Sequence, residues 1–180
     1  MFTIEKEKLE QMGAEITTRE IRQQPELWKE TIDLYQSAQG ELENFLTEVQ
    51  KQAKGQRTRV IFTGAGTSQY VGDTLVPYLR KHGDRQAFSF ESIGTTDIVA
   101  EPEEYLIKEE PTLLVSFARS GNSPESLAAV EIANQVVDTI HHLSITCAKE
   151  GKLAQISQAD SKSFLFLMPV RSNEDRKSVV

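Results

Sequence analysis

The chain has 180 residues, 38% of them hydrophobic, which suffices for one domain with a core and an extension. Its formal net charge is −7, which argues against nucleic acid or an anionic membrane as the main partner, because both require basic patches. The single cysteine, Cys147, cannot form an internal disulfide, so we expect a reducing cytoplasm and a buried structural thiol rather than a nucleophile. Charged residues at positions 5–8 interrupt any early apolar run, so neither a secretion signal nor a membrane span is expected.

A helical extension is predicted for residues 1–56. Thr17 and Glu20 form a capping box, and Pro25 is typical of the first position of a helix. From residue 27 to residue 49, apolar side chains recur along one face. This pattern predicts a long amphipathic helix that packs on a sheet or on a partner subunit.

The first candidate binding loop follows residues 60–62, an apolar run that predicts a buried strand. The loop reads Gly64-Ala65-Gly66-Thr67-Ser68, and the helical spacing after it predicts a helix that begins near Ser68. Backbone N–H groups and two hydroxyls at the positive end of a helix suit an anion. The loop lacks the lysine of a Walker motif and the third glycine of a dinucleotide fingerprint. Glycines needed only for backbone freedom are the alternative explanation.

A second loop of the same kind follows the apolar run at residues 113–117. It reads Ala118-Arg119-Ser120-Gly121-Asn122-Ser123, and Ser123 with Pro124 predicts the start of another helix. In one parallel sheet, the two loops would lie side by side at the carboxyl edge, where open α/β folds bind ligands. The pair of loops therefore predicts a phosphate site.

The remainder of the chain alternates strands and helices. Further strands are predicted at 86–90, 143–146 and 164–167, and helices at 124–138 and 151–157. This order predicts an α/β fold, a three-layer αβα sandwich around a five-stranded, mainly parallel sheet. We predict three parts: the helical extension over 1–56, the domain over 57–169 and a tail over 170–180.

These loops resemble those of the SIS (sugar isomerase) family of phosphosugar-binding domains. The resemblance is carried by Gly64-Ala65-Gly66-Thr67-Ser68 with Gly72, and by Ser116-x-x-Arg119-Ser120-Gly121-Asn122-Ser123-Pro124-Glu125-Ser126. Residues 17–25 with Trp28, and the turn at 146–154, are similar to the tagatose-6-phosphate ketose/aldose isomerase group, which handles amino-sugar phosphates such as galactosamine 6-phosphate. The resemblance implies a flavodoxin-like strand order.

The loops and the resemblance together predict which residues hold the substrate phosphate. These are Ser68, Ser120, Ser123, Thr67, Asn122, Arg119, Gly66 and Gly121. The guanidinium of Arg119 matches phosphate geometry, with an orientation toward solvent or a subunit interface as the alternative. We expect no metal and no cofactor, because no set of His, Cys, Asp and Glu has ligand spacing.

No catalytic residue is identified in the chain. The isomerases that it resembles take a catalytic Glu and His from a second SIS domain or a neighbouring subunit. Structural roles are expected for His82, which lies at a helix end, and for His141 and His142, which enter a strand at the edge opposite to the loops. The same is expected for Glu125, whose charge suits the first turn of a helix, and for Glu91. The chain departs from the family pattern after Asn173, so we expect a half-length form that pairs with a second SIS domain or self-associates, and that is inactive alone. A non-catalytic sugar-phosphate sensor and a product without function are the alternatives.

Overall fold

The computed structural model describes residues 3–173. The helices are α1 (Lys6–Gln11), α2 (Glu15–Gln52), α3 (Thr67–His82), α4 (Thr95–Ala100), α5 (Pro102–Tyr105), α6 (Pro124–Val136) and α7 (Lys152–Ala159). The strands are β1 (Thr58–Gly64), β2 (Phe88–Ser92), β3 (Thr112–Ala118), β4 (Ile140–Thr146) and β5 (Ser163–Leu167), and a 3-10 turn follows at Val170–Asn173. Residues 174–180 of the predicted tail lie outside the described residues.

The five strands form one parallel sheet in the order β2-β1-β3-β4-β5. The chain leaves β1 toward β2 on one side and returns to β3 on the other, so the strand order reverses between β1 and β3. Gly64 at the end of β1 pairs with Phe117 near the end of β3. The crevice that open α/β folds use for ligands therefore lies between the loops that follow these two strands. The predicted fold class and strand order are confirmed.

The sheet is covered on both faces, because successive strand residues point to opposite sides. On one face, Ile61 and Leu114 are fully buried beneath α4, α6 and α7. On the other face, Phe62 and Val115 pack with Val49 of α2 and residues of α3. The end of α2 is thus part of the core of the sheet.

The structure corrects the predicted helix boundaries in the leader. One helix, α2, runs without interruption over 38 residues, so Thr17 does not cap it and Pro25 lies inside it. Pro25 has no N–H to donate to the preceding turn, which weakens the helix locally. Buried side chains lie on both sides of Pro25, at Glu20 and Leu27, and their packing outweighs the lost hydrogen bond.

Two strands also differ from the prediction. β2 begins two residues late because Asp84 Oδ1 accepts hydrogen bonds from the N–H groups of Gln86 and Ala87, which holds this segment in a turn. β4 begins three residues early and contains His141 and His142. Within residues 3–173, no helix combines the length and the apolar character that crossing a membrane requires.

Candidate functional site

The loop after β1 turns sharply into α3. A Cβ atom on Gly64 would lie 2.7 Å from the carbonyl carbon of Ser68, so only glycine allows the strand end and the helix start to approach this closely. The helix begins at Thr67, which confirms the predicted start near Ser68. No side chain caps its N-terminus, and Thr67 and Gly66 are exposed. The N–H groups of Ser68 and Gln69 donate to carbonyl oxygens of the same loop, at 3.3 and 3.1 Å. Those of Gly66 and Thr67 have no acceptor among the described residues and are available to a ligand.

Ser68 lies at the inner side of this loop. It is 9% exposed, and its hydroxyl has no hydrogen-bond partner among the residues that the structure describes. A hydroxyl without a protein partner at a partly accessible position is available to a ligand or to water.

The loop after β3 is held by its own side chains. Asn122 Oδ1 accepts a hydrogen bond from the N–H of Lys152 at 3.0 Å, which connects the loop to the start of α7. Ser120 Oγ accepts one from the N–H of Asn122 at 3.3 Å. Gly121 has φ +63°, and an added Cβ would press on Leu153 at 3.2 Å. The backbone of this loop is therefore fixed before any ligand arrives.

Ser123 stands at the N-cap position of α6, as predicted, but its hydroxyl does not cap the helix. It donates instead to the hydroxyl of Ser126 at 2.6 Å. The N–H groups of the first turn of α6 consequently have no side-chain acceptor. The negative charge expected near a helix start is supplied by Glu125, which lies in this turn.

Arg119 brings positive charge to the second loop. Its side chain is half-buried, and its guanidinium makes no hydrogen bond or ion pair with any described residue. Its carbonyl oxygen accepts from the hydroxyl of Thr146 at 3.2 Å and from the N–H of Cys147 at 3.3 Å. The backbone is thus anchored to the end of β4 while the charge remains available.

A cavity of about 240 Å³ opens between α2, α3 and the carboxyl ends of β3, β4 and β5. Ser68 is the one predicted phosphate residue that lines it. Its walls are mainly apolar and come from Leu27, Trp28, Val71, Phe117, Ile145 and Met168, among others. No Asp, Glu, Lys, Arg or His belongs to the lining. Gln24 also lines the cavity, and neither it nor Trp28 is among the site residues predicted from the sequence.

Glu91 is bound by an arginine. Arg59 donates from Nε and from Nη2 to the two carboxylate oxygens of Glu91, at 2.8 Å each. These hydrogen bonds lower the pKa of Glu91 and outweigh the effect of its partial burial. A carboxylate of this kind is a poor general base, which agrees with the structural role expected for it.

The histidines lie away from the two loops. His141 and His142 are buried near the amino end of β4, at the edge opposite to the loops. His142 Nε2 lies 2.9 Å from Asn134 Oδ1, and its Nδ1 is buried without a partner among the described residues. Burial lowers the pKa of His142 to about 4 and also lowers that of His141. His82, at the end of α3, stacks on Tyr78 with the ring centroids 4.6 Å apart.

Within residues 3–173, no group of three or more His, Cys, Asp and Glu side chains is arranged to hold a metal ion.

Comparison with known proteins relates the chain to a particular group. No protein-family model matches it. The D-galactosamine-6-phosphate deaminase AgaS of Shewanella sp. (strain ANA-3) is 45% identical over 168 residues, which cover 93% of this chain and 42% of that protein. The crystal structure of tagatose-6-phosphate ketose/aldose isomerase from Escherichia coli superimposes with a TM-score of 0.80 at 41% identity, over 87% of this chain and 41% of that chain. The crystal structure of a candidate tagatose-6-phosphate ketose/aldose isomerase from Clostridium novyi NT superimposes with a TM-score of 0.87 at 45% identity, over 97% of this chain and 43% of that chain.

The fold is that of the SIS structures, with a long N-terminal helix added. Within that class, the chain is a homologue of the galactosamine-6-phosphate deaminases and tagatose-6-phosphate ketose/aldose isomerases, which confirms the resemblance seen in the sequence. It spans about two fifths of the length of the relatives that it matches.

Proposed function

We propose that the chain is the phosphosugar-binding SIS domain of an amino-sugar-phosphate isomerase or deaminase of the galactosamine 6-phosphate or tagatose 6-phosphate type. The observation that carries the proposal is the position of the loops after β1 and β3. They are neighbours at the point where the strand order reverses, and each leads into a helix whose N-terminus has no side-chain cap.

In this proposal, the phosphate lies between the two loops. The N–H groups at the starts of α3 and α6 that have no protein acceptor, including those near Gly66 and Gly121, donate to its oxygens, and Ser68, Ser120 and Thr67 add hydroxyls. Ser123 adds a further hydroxyl when its proton turns from Ser126 to the phosphate. Arg119 supplies the positive charge that an anion needs in a chain with a net charge of −7. Asn122 contributes its amide NH₂, since its oxygen is already bound to Lys152.

The chemical step requires groups from outside the described residues. Moving a proton between adjacent sugar carbons needs a base within hydrogen-bond reach of the substrate. Glu91 is bound to Arg59, and the three histidines lie away from the loops. We therefore propose that the base and acid come from a second SIS domain or a neighbouring subunit.

Exposed apolar side chains support such a pairing. Ile32 and Tyr35 of α2 and Tyr70 and Tyr78 of α3 are all about half exposed or more. Large apolar side chains grouped in one helical layer are typical of interaction surfaces. We propose that a second SIS domain, or a second copy of this chain, covers this layer. Sedimentation velocity at micromolar concentrations tests this: a strictly monomeric boundary for the isolated chain would contradict it.

A reducing compartment such as the cytoplasm is part of the proposal, because Cys147 is a free thiol. It is half-buried and lines the cavity, and is thus more accessible than the buried thiol expected from the sequence.

The test of the proposed function is isothermal titration calorimetry with galactosamine 6-phosphate. We expect measurable binding by the chain, and loss of that binding in the double variant Ser120→Ala/Ser123→Ala. The matched control is Ser37→Ala/Ser161→Ala, which removes two exposed hydroxyls away from the loops and should bind normally. Unchanged affinity in the first variant would overturn the assignment of the phosphate. A non-catalytic sugar-phosphate sensor would be favoured instead if a two-domain protein that contains this domain bound galactosamine 6-phosphate but did not convert it.

A further inference from the structure

We propose that Gln24 and Trp28 of the leader helix are specificity-determining residues that contact the sugar of the bound phosphosugar. The inference rests on the proposed function and extends it from the phosphate to the rest of the substrate. It assigns the cavity between α2 and the sheet to the sugar ring and its amino group.

The composition of the cavity indicates which part of a phosphosugar it can take. No Asp, Glu, Lys, Arg or His lines it, so it offers no charge to a phosphate group. Its apolar walls with few polar groups are typical of sites for the uncharged or amphipathic part of a ligand. Ser68 connects the two regions, because it belongs to the first loop and also lines the cavity. A ligand whose phosphate is bound at the loops therefore extends into the cavity past Ser68.

Gln24 and Trp28 present the polar and aromatic contacts of the cavity wall. They are four residues apart on α2 and therefore lie on the same face of the helix. The amide of Gln24 has no hydrogen-bond partner among the described residues, whereas the neighbouring Gln23 donates to Glu20 at 2.8 Å. An unpartnered carboxamide in an apolar wall is suited to a hydroxyl or amine of a ligand.

Trp28 is 62% exposed although it lines a mainly apolar cavity. An indole is the best aromatic partner for a cation, and its flat face also accommodates the apolar face of a ring. An amino sugar offers both, because its ammonium group is a cation and its ring has an apolar face. Trp28 would thus favour an amino-sugar phosphate over the same phosphate without the amine.

The leader helix is held in a defined position over the cavity. Leu27, on the inner side of this helix, is buried, and the guanidinium of Arg171 makes ion pairs with Glu26 and Glu30 of the helix. Arg171 belongs to the turn after β5, which also contributes to the lining of the cavity. The backbone that carries Gln24 and Trp28 is therefore in place before a ligand binds, which lowers the entropy cost of ordering this part of the site.

The chain contains its own reporters for a test. Trp28 is the only tryptophan and Cys147 the only cysteine, and both line the cavity. We expect galactosamine 6-phosphate to change the fluorescence of Trp28 and to slow the reaction of Cys147 with a thiol reagent. Inorganic phosphate should compete for the loops without either effect.

Substitutions complete the experiment. We expect Gln24→Ala and Trp28→Ala to weaken binding of galactosamine 6-phosphate on the order of tenfold in calorimetry, and to leave binding of inorganic phosphate unchanged. The matched controls are Gln23→Ala and Leu34→Ala, a glutamine and an exposed apolar residue of the same helix that do not line the cavity. Should Trp28→Ala fail to fold by circular dichroism, the two reporters in the unmodified chain decide the question.

The failure of this inference differs from the failure of the proposed function. One outcome is that galactosamine 6-phosphate binds in calorimetry while the fluorescence of Trp28, the reactivity of Cys147 and the affinity of both variants stay unchanged. That result would overturn the role of Gln24 and Trp28 and would leave the phosphate site intact. If the chain bound neither galactosamine 6-phosphate nor inorganic phosphate, the proposed function would be overturned and this inference with it.

Discussion

The side-chain oxygen of Asn122 accepts a hydrogen bond from the backbone N–H of Lys152 across 3.0 Å. This bond satisfies one of the free N–H groups at the start of α7 and fixes the loop in which Ser120 and Ser123 lie. Asn122→Ala should lower the free energy of unfolding by about 1 kcal/mol, as the loss of a helix cap does. Urea denaturation measures this, with Asn44→Ala on the exposed face of α2 as the control. Equal stability of Asn122→Ala and the unmodified chain would show that this bond does not stabilise the fold.

The ion pair between Arg59 and Glu91 should stabilise the fold without serving catalysis. Replacing Glu91 leaves the largely buried guanidinium of Arg59 without its main partner. The loss of stability is limited because Glu91 is itself partly exposed and because Glu110 lies 3.6 Å from Arg59. We therefore expect Glu91→Gln to lower the free energy of unfolding by about 2 kcal/mol, less than for a fully buried pair. The control is Glu109→Gln, since Glu109 is exposed and has no ion pair within the described residues.

The pH dependence of that effect follows from the lowered pKa of Glu91. The stabilisation is present above the pKa of the unfolded carboxyl and is lost as the pH falls through the lower folded value. The difference between Glu91→Gln and the unmodified chain should therefore shrink between neutral and strongly acidic pH. A difference that stays constant over this range would contradict the ion pair.

His142 should make the fold sensitive to mild acid. Burial lowers its pKa from 6.5 to about 4, while the charge of Asp160 opposes the shift and those of His141 and Lys162 add to it. The unfolded chain binds the proton more readily, so stability is complete above about pH 6.5 and is lost as the pH falls toward 4. The loss from this residue should be about 2 kcal/mol at pH 4.5.

Urea unfolding at pH 7 and pH 4.5 measures the effect of His142. In His142→Gln, the acid-induced loss should be smaller than in the unmodified chain, because the titrating group is gone. His82→Gln, which changes an exposed histidine, serves as the control. Identical acid-induced losses in His142→Gln and the unmodified chain would rule out His142 as the cause.

Turnover by the isolated chain should be at least a hundredfold slower than by a full-length relative. Binding the phosphate equally in substrate and transition state does not accelerate the chemical step, whereas a positioned base and acid contribute roughly 10²–10⁴ in rate. The assay compares galactosamine 6-phosphate and tagatose 6-phosphate turnover by the two proteins. Activity within about tenfold of the relative would contradict the proposal, and would make Glu91 and Glu125 the next residues to substitute.

The sequence was sufficient to predict the sheet and both loops, because the strands contain short apolar runs and β1 and β3 are followed by segments rich in glycine and hydroxyl side chains. It was not sufficient for α2, since the signals at Thr17 and Pro25 are local and the packing of Glu20 and Leu27 overrides them. The pairing of Arg59 with Glu91 joins residues 32 positions apart, and no local pattern predicts it. The position of Gln24 and Trp28 at the cavity could not be predicted either, because helical periodicity does not show which part of a sheet a helix will cross.

The most direct test of the central claim is the change in backbone amide chemical shifts when inorganic phosphate and galactosamine 6-phosphate are added to the ¹⁵N-labelled chain. We predict that the largest changes for both ligands fall on residues 66–68 and 120–123, at the starts of α3 and α6. Changes centred on His141, His142 and Lys162 at the opposite edge of the sheet, or no changes at saturating ligand, would contradict the claim that these two loops bind the phosphate.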